Sequence, residues 1–476
     1  MKAIKNFFYN ASYQLLLLLV PLITQPYVSR ILEPVGNGIY TSTYNTMQYF
    51  ILNGYLRISV YANREIAYHR DDLEARSRIF WEIELLQMIT TSASAILFFG
   101  FIGIDHQNFK IQMIQLLWLA AAGIDISWYF MALEDFGKTV LRNTLVKLIS
   151  VSLIFLLVKS PADLWKYTVI QGAAQLIGAL TLWPYLKETL VHVKFSSLNV
   201  FHHLKPSLVL FVPNIAIQVY SVVNKSMLQF MVSKTAVAYF TFGDNLVKTV
   251  LAIVTATGSV MLPRIAARFA HGDLKAVHES LYRNMNFVAS ISFPLMFGLA
   301  AMGERFAPKF FGPKYILSGQ VITAEAPIII LIAWSTVIGR QYLMPVQRMR
   351  EYTTSVTLGA IINVIANFPL ILMFGTVGTA IATVISEAAV TLYQIWTVQS
   401  TLSVRRMFSG QWKYLLSGGI MFGIVRFLVN FWSMTVLHII VEVIIGAVVY
   451  VVGVMFTRAQ IVDEVRGVIR SRLHRD

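Results

Sequence analysis

Apolar runs long enough to cross a bilayer recur from end to end of this chain, and its charges are clumped between them. A helix rises ~1.5 Å per residue, so ~20 apolar residues span the hydrocarbon. Only 13% of the 476 residues are charged and 56% are hydrophobic, whereas a soluble domain carries roughly 25% charged residues. The pattern predicts an all-α polytopic membrane protein. Fourteen helices are expected, near 8–29, 38–62, 79–103, 110–133, 140–158, 164–186, 206–230, 236–261, 283–303, 320–345, 353–374, 377–399, 412–431 and 435–456.

The loops carry a second signal. With the N-terminus in the cytoplasm, inner segments hold 25 of the 39 Lys and Arg, from Lys2 and Lys5 to the five Arg after Thr457. Outer segments hold eight: Arg30, Lys110, Lys159, Lys166, Lys234, Arg305, Lys309 and Lys314. Lys and Arg accumulate on the cytoplasmic side, so both termini are expected inside, with an even number of spans. Lys2 and Lys5 precede an apolar run without a small-x-small cleavage site, which reads as a retained first helix. The net charge of +15 suits loops near anionic membrane lipids and argues for no nucleic-acid partner. The tail 457–476 reads as a basic helix on the inner leaflet.

Residues 15–50 read as a transmembrane hairpin. Its first helix contains Pro21 and Pro26 and ends at Arg30, and a turn over Glu33-Pro34-Val35-Gly36-Asn37-Gly38 reverses the chain. About 190 residues later Leu210-Phe211-Val212-Pro213-Asn214-Ile215 echoes Leu19-Val20-Pro21-Leu22-Ile23, again followed by a cation, Lys225. Repeated halves are the common build of a secondary transporter.

Chemistry-bearing motifs are few. Cysteine is absent, which excludes disulfides and thiolate metal sites. There is no GxxxxGK[ST] phosphate loop, and the adjacent His202 and His203 cannot share a helix face. No metal, cofactor or enzymatic activity is expected.

Charges inside the spans are the informative residues, since each costs at least ~2.5–3.5 kcal/mol to insert and needs a partner, water or a task. They are Arg57, Lys147, Lys225, Lys248, Arg340 and Arg426 against Asp125, Asp244, Glu387 and Glu442. Arg426 and Glu442 fall at similar depth and are expected to pair. Asp244 lies one turn from Lys248 and within reach of Lys225, so either cation can take it. Arg57, Asp125 and Lys147 share a depth in the first half and leave one surplus positive charge. Arg340 reads either as a binding residue or as a snorkelling one near a helix end. A surplus cation in each half suits an anionic ligand. Asp125, Asn214, Asn363, Asn367 and Glu387 are candidate ligands for a coupling Na+ or H+, with interhelical hydrogen bonding as the alternative.

Several stretches resemble the Wzx-type polysaccharide repeat-unit flippases of the multidrug/oligosaccharidyl-lipid/polysaccharide exporter superfamily. They are Pro26-Tyr27-Val28-Ser29-Arg30-Ile31-Leu32 with Gly38-Ile39-Tyr40, Arg64-Glu65-Ile66-Ala67, Asp125-Ile126-Ser127-Trp128 with Leu133-Glu134-Asp135-Phe136, Arg142-Asn143 with Lys147, Met261-Leu262-Pro263-Arg264, Phe310-Phe311-Gly312, and Asn363 to Asn367 with Gly378 to Thr383 and Glu387. Glu33 and Arg57 depart from it, standing where glycine is expected.

The resemblance implies a V-shaped exporter with lobes at 1–186 and 206–399, a linker at 187–205, an extra helix pair at 400–456 and the tail. It further implies a polyprenyl-pyrophosphate-linked oligosaccharide as substrate, flipped outward across the bacterial plasma membrane for capsule, O-antigen or exopolysaccharide assembly. Polymerase and glycosyltransferase partners would accompany it. On that reading Arg30, Lys147, Lys225, Lys248 and Arg340 surround the anionic head, and Arg57, which the resemblance does not carry over, joins them only as a charge buried in a span. The rival readings are a multidrug/cation antiporter of the same fold and a non-transporting scaffold for glycosyltransferases.

Overall fold

The computed structural model describes residues 2–56, 58–104, 106–433, 435–464 and 466, with all their side chains except those at 2–15, 17, 18, 104, 136, 138, 210–221 and 257–264. The described residues contain helices and turns and no strand. They divide into two units, Met1–Gln229 and Phe230–Asp476.

The first unit contains α1 (Lys2–Tyr55), α2 (Ile58–Tyr68), α3 (Leu73–Ile104), α4 (Phe109–Ile124), α5 (Ser127–Ala132), α6 (Phe136–Leu157), α7 (Leu164–Leu180) and most of α8 (Leu204–Met231). Helix α1 is two limbs separated by a single non-helical residue, Glu33, at φ 55° and ψ 174°. The expected six-residue turn is thus reduced to one residue. Pro34 opens the second limb, where its missing N–H costs nothing. Asn37 donates to the carbonyls of Glu33 (2.9 Å) and Val28 (3.3 Å) across the break.

The expected helix 110–133 is also broken, at Asp125-Ile126 between α4 and α5. Freed carbonyls inside a membrane need donors. Gln87 supplies them to Ala122 (2.9 Å) and Asp125 (3.1 Å), and the Trp183 indole to Ile124 (2.9 Å). Beyond α7 the segment toward α8 is strapped to this unit. Arg76 and Tyr129 donate to the Thr189 carbonyl, and buried His203 bridges Tyr61 (2.8 Å) and Glu82 (2.9 Å).

The second unit contains α9 (Lys234–Ala270), α10 (Leu274–Phe311), α11 (Ile316–Glu325), α12 (Ile328–Ser335), a π-helical turn (Thr336–Leu343), α13 (Met349–Phe374), α14 (Thr376–Val398), α15 (Val404–Met407), α16 (Gln411–Phe431) and α17 (Val436–Phe456). Helix α10 is its spine and packs against α9, α11, α12 and α16. On α13 the polarity is inside out. Ser355, Asn363 and Asn367 are fully buried, while Ile361, Ile365, Phe368 and Leu372 are exposed along the opposite face. Water would reverse that choice, so this face is built for lipid. Small residues let α13 and α14 touch: a Cβ on Gly359 would lie 2.3 Å from Val390, and Ser386 donates to the Gly359 carbonyl at 2.7 Å.

Among the described residues nine helices are long and apolar enough to cross a membrane, or ten if the pair Pro313–Glu325 and Ile328–Leu343, bent by 45°, is one span. The two limbs of α1, the 17-residue α7 and α8 complete a set consistent with the fourteen expected. The chain is an all-α, multi-pass membrane protein.

Candidate functional site

A cavity of about 400 Å³ lies within the first unit, lined by one face from each of four helices. Helix α1 gives Tyr44, Gln48, Ile51 and Tyr55; α4 gives Trp118, Ala121 and Ala122, and Asp125 follows at its end. Helix α6 gives Arg142, Asn143, Val146, Lys147 and Ser150; α7 gives Gln171, Ala174, Gln175, Gly178 and Ala179. Every set follows the three-and-four spacing of a helix face. The small residues leave the space, and the polar ones wet it.

Asp125 owes its position to the break after α4. Its carboxylate accepts from the Ser127 amide (3.0 Å) and hydroxyl (3.1 Å), so it caps the next helical turn while facing the cavity. The Arg142 guanidinium stands 3.9 Å away, with 12% of its side chain exposed, and is oriented by the Asn143 carbonyl oxygen. Lys147, one further turn and a half along α6, is half-buried and has no ion-pair partner among the described residues. Among the described residues that line the cavity, two cations thus accompany one carboxylate. Gly172 brings α7 against α4: a Cβ there would lie 2.7 Å from the Trp118 ring.

The structure brings together two of the residues singled out from sequence, Lys147 and Asp125. Arg142, near the start of the expected helix 140–158, is the second lining cation; Arg57 lies outside the described residues. The side chain of Asn214 lies outside them too. Arg30 and Arg340 are exposed, and neither they nor half-buried Lys225 line the cavity. The neutral lining residues Gln48, Asn143, Gln171 and Gln175 are not among the site residues expected from sequence; for Gln171 and Gln175 the signal is their four-residue spacing on α7.

One open alternative is decided and one expected ion pair is corrected. Lys248 is not a surplus cation: its ammonium pairs with buried Asp244 at 2.6 Å, and Glu325 and Glu387 are also within its electrostatic reach. Arg426 does not pair with Glu442. It reaches Glu304 and the Ala301 carbonyl on α10, because its face of α16 is turned to that helix. Glu442 is fully buried with no hydrogen-bond partner among the described residues. Asn363 and Asn367 do share a face, and the Asn367 amide donates to the Asn363 side-chain oxygen at 2.9 Å. Glu387 is half-buried on α14.

Residues 3–269 match the family described as polysaccharide biosynthesis protein. The chain belongs to that family. It is 24% identical over 406 residues to the "Putative O-antigen transporter" of Escherichia coli (strain K12), covering 83% of this chain and 96% of the relative. To the protein of the same name from Shigella dysenteriae it is 25% identical over 289 residues, covering 60% and 72%. Among solved structures, a lipid II flippase MurJ in an inward closed conformation is similar with a TM-score of 0.76 at 15% identity, covering 96% of this chain and 99% of that one. At that identity the likeness shows the fold. The Wzx-type resemblance read from the motifs is thereby borne out at the level of family and fold.

Proposed function

We propose that this polysaccharide biosynthesis protein is a flippase for lipid-linked oligosaccharide carrying a pyrophosphate head. The surplus positive charge of the Arg142–Lys147–Asp125 cavity carries the reading. An anion crossing hydrocarbon needs compensating charge, and guanidinium and ammonium groups beside water supply it at ~1.5–3 kcal/mol per charged hydrogen bond. The O-antigen transporter names of the relatives support the substrate class. Asp125 holds Arg142 in the empty state and yields it to phosphate oxygens. Ala121, Ala122, Ala174 and Gly178 leave room for the head, while the polyprenyl tail stays in lipid.

The cycle is alternating access in the plasma membrane, with both termini cytoplasmic. The chain forms no covalent intermediate. A cation gradient drives it, with Asn363, Asn367 and Glu387 as candidate ligands in the second unit. The product feeds capsule, O-antigen or exopolysaccharide assembly beside polymerase and glycosyltransferases.

The test is Arg142→Gln with Lys147→Met in proteoliposomes holding fluorescent lipid-diphosphate oligosaccharide. Loss of flipping with unchanged membrane insertion is expected. Normal flipping in the double variant would remove the cavity from the mechanism. Drug efflux without flipping in the unaltered protein would favour the cation antiporter.

A further inference from the structure

The cavity of the first unit has two chemically different ends. Helices joined by short loops run in opposite directions, so late residues of α4 meet early residues of α6, and the 3.9 Å Asp125–Arg142 approach shows it. Toward the other end, three turns before Tyr55 on α1 and two before Asp125, Tyr44 and Trp118 lie 5.5 Å apart. The aromatic surface continues past the lining. Tyr40 stacks on Tyr44 with ring planes 2° apart at 5.8 Å, and Tyr167 meets the edge of Tyr40 at 4.9 Å. Gln171 donates to the Tyr167 hydroxyl at 3.3 Å, and Gln48 and Gln175 face the same space.

Flat rings beside neutral amides are the surface a sugar needs. A pyranose presents a face of C–H bonds to an aromatic ring and a rim of hydroxyls to groups that both donate and accept, as glutamine does. The cavity is at the low end of the ~300–1,000 Å³ of small-molecule sites, so it holds the head region and not a whole repeat unit.

We infer that the Tyr40–Tyr44–Tyr167 wall, backed by Trp118 and edged by Gln48, Gln171 and Gln175, is a saccharide subsite that stacks a neutral pyranose ring while Arg142 and Lys147 hold the diphosphate. The inference rests on the head-group reading above and adds a separable contribution to binding.

Calorimetric titration of the full chain in lipid nanodiscs separates the two. The probes are farnesyl diphosphate and its conjugates bearing one glucose, galactose or N-acetylglucosamine. At least one conjugate is expected to bind about threefold to tenfold more tightly than the bare diphosphate. Tyr44→Leu abolishes that advantage by weakening the conjugates more than the bare diphosphate, whereas Tyr44→Phe, which keeps the ring, retains it. Gln171→Ala, at a half-buried position, reduces it as a check independent of the core. No advantage for any conjugate in the unaltered protein, or one that survives Tyr44→Leu, overturns the subsite. Equal losses for both probes make Tyr44 structural and overturn it too. Lys147→Met weakens both kinds of probe by the same factor. If it weakens neither, the head-group reading fails while the sugar advantage still stands or falls by itself.

Discussion

In the first unit Asp125 keeps a third of its side chain exposed and stands 3.9 Å from Arg142, with Lys147 as a second cation in the same cavity. In the second, Asp244 is 2% exposed and holds Lys248 at 2.6 Å, with Glu325 and Glu387 as further acids nearby. The residue types are alike, but the distances and surroundings differ. A loose pair beside space and a spare cation can exchange its partner for a ligand. A tight pair with a buried carboxylate chiefly cancels charge that the membrane would otherwise penalise. On the proposed reading the first unit carries the anion-binding chemistry, and the second carries an acid-rich cluster around Lys248 with a buried Asn363–Asn367 pair.

The sharpest way to break that contrast is to remove charge from each side. Arg142→Gln with Lys147→Met should cut flipping in proteoliposomes by about two to four orders of magnitude, since two charged hydrogen bonds are worth ~3–6 kcal/mol together. The apparent melting temperature in nanodiscs should hold. Lys248→Met should do the reverse, lowering the melting temperature through a loss of about 3 kcal/mol, the low end for an uncompensated buried acid. Adding Asp244→Asn should restore most of it. A Lys248 variant that melts normally but cannot flip would place ligand binding in the second unit as well.

Smaller effects refine the picture of the first unit. Gly172→Val drives a side chain into the Trp118 ring and should cost about 2 kcal/mol of stability by overpacking. Flipping should fall with it, because Trp118 is pushed into the cavity; unchanged melting and flipping would mean the α4–α7 contact yields. Glu33→Gly relieves a backbone conformation that only glycine adopts easily and should raise stability by about 1 kcal/mol. A lower melting temperature would show that the Glu33 side chain contributes more than its backbone costs.

Much of this was legible in the primary structure, for identifiable reasons. Lys147 and Asp125 stood out because a charge in an apolar run is costly wherever it points. Glu33 was marked as a glycine position, and its positive φ explains why. Arg142 carries a weaker mark because it sits near a span end, where loop cations also sit. Gln48, Gln171 and Gln175 were passed over because a neutral amide costs little to insert and leaves no strong mark. The Arg426–Glu442 pairing failed because depth along a helix says nothing about the direction in which a side chain leaves it. Two residues level with each other on α16 and α17 face different neighbours.

The order of residues by itself determined that this chain spans a membrane many times, where most spans begin and end, and which charges need an explanation. These follow from hydrophobicity summed over ~20 neighbours, a local quantity. Only tertiary structure decided which charges meet. Arg142 joins Asp125 because α4 breaks at that aspartate and α6 returns beside it, and Arg426 joins Glu304 because α16 lies along α10. Pairing depends on the rotation of each helix about its axis, and packing against other helices sets that rotation.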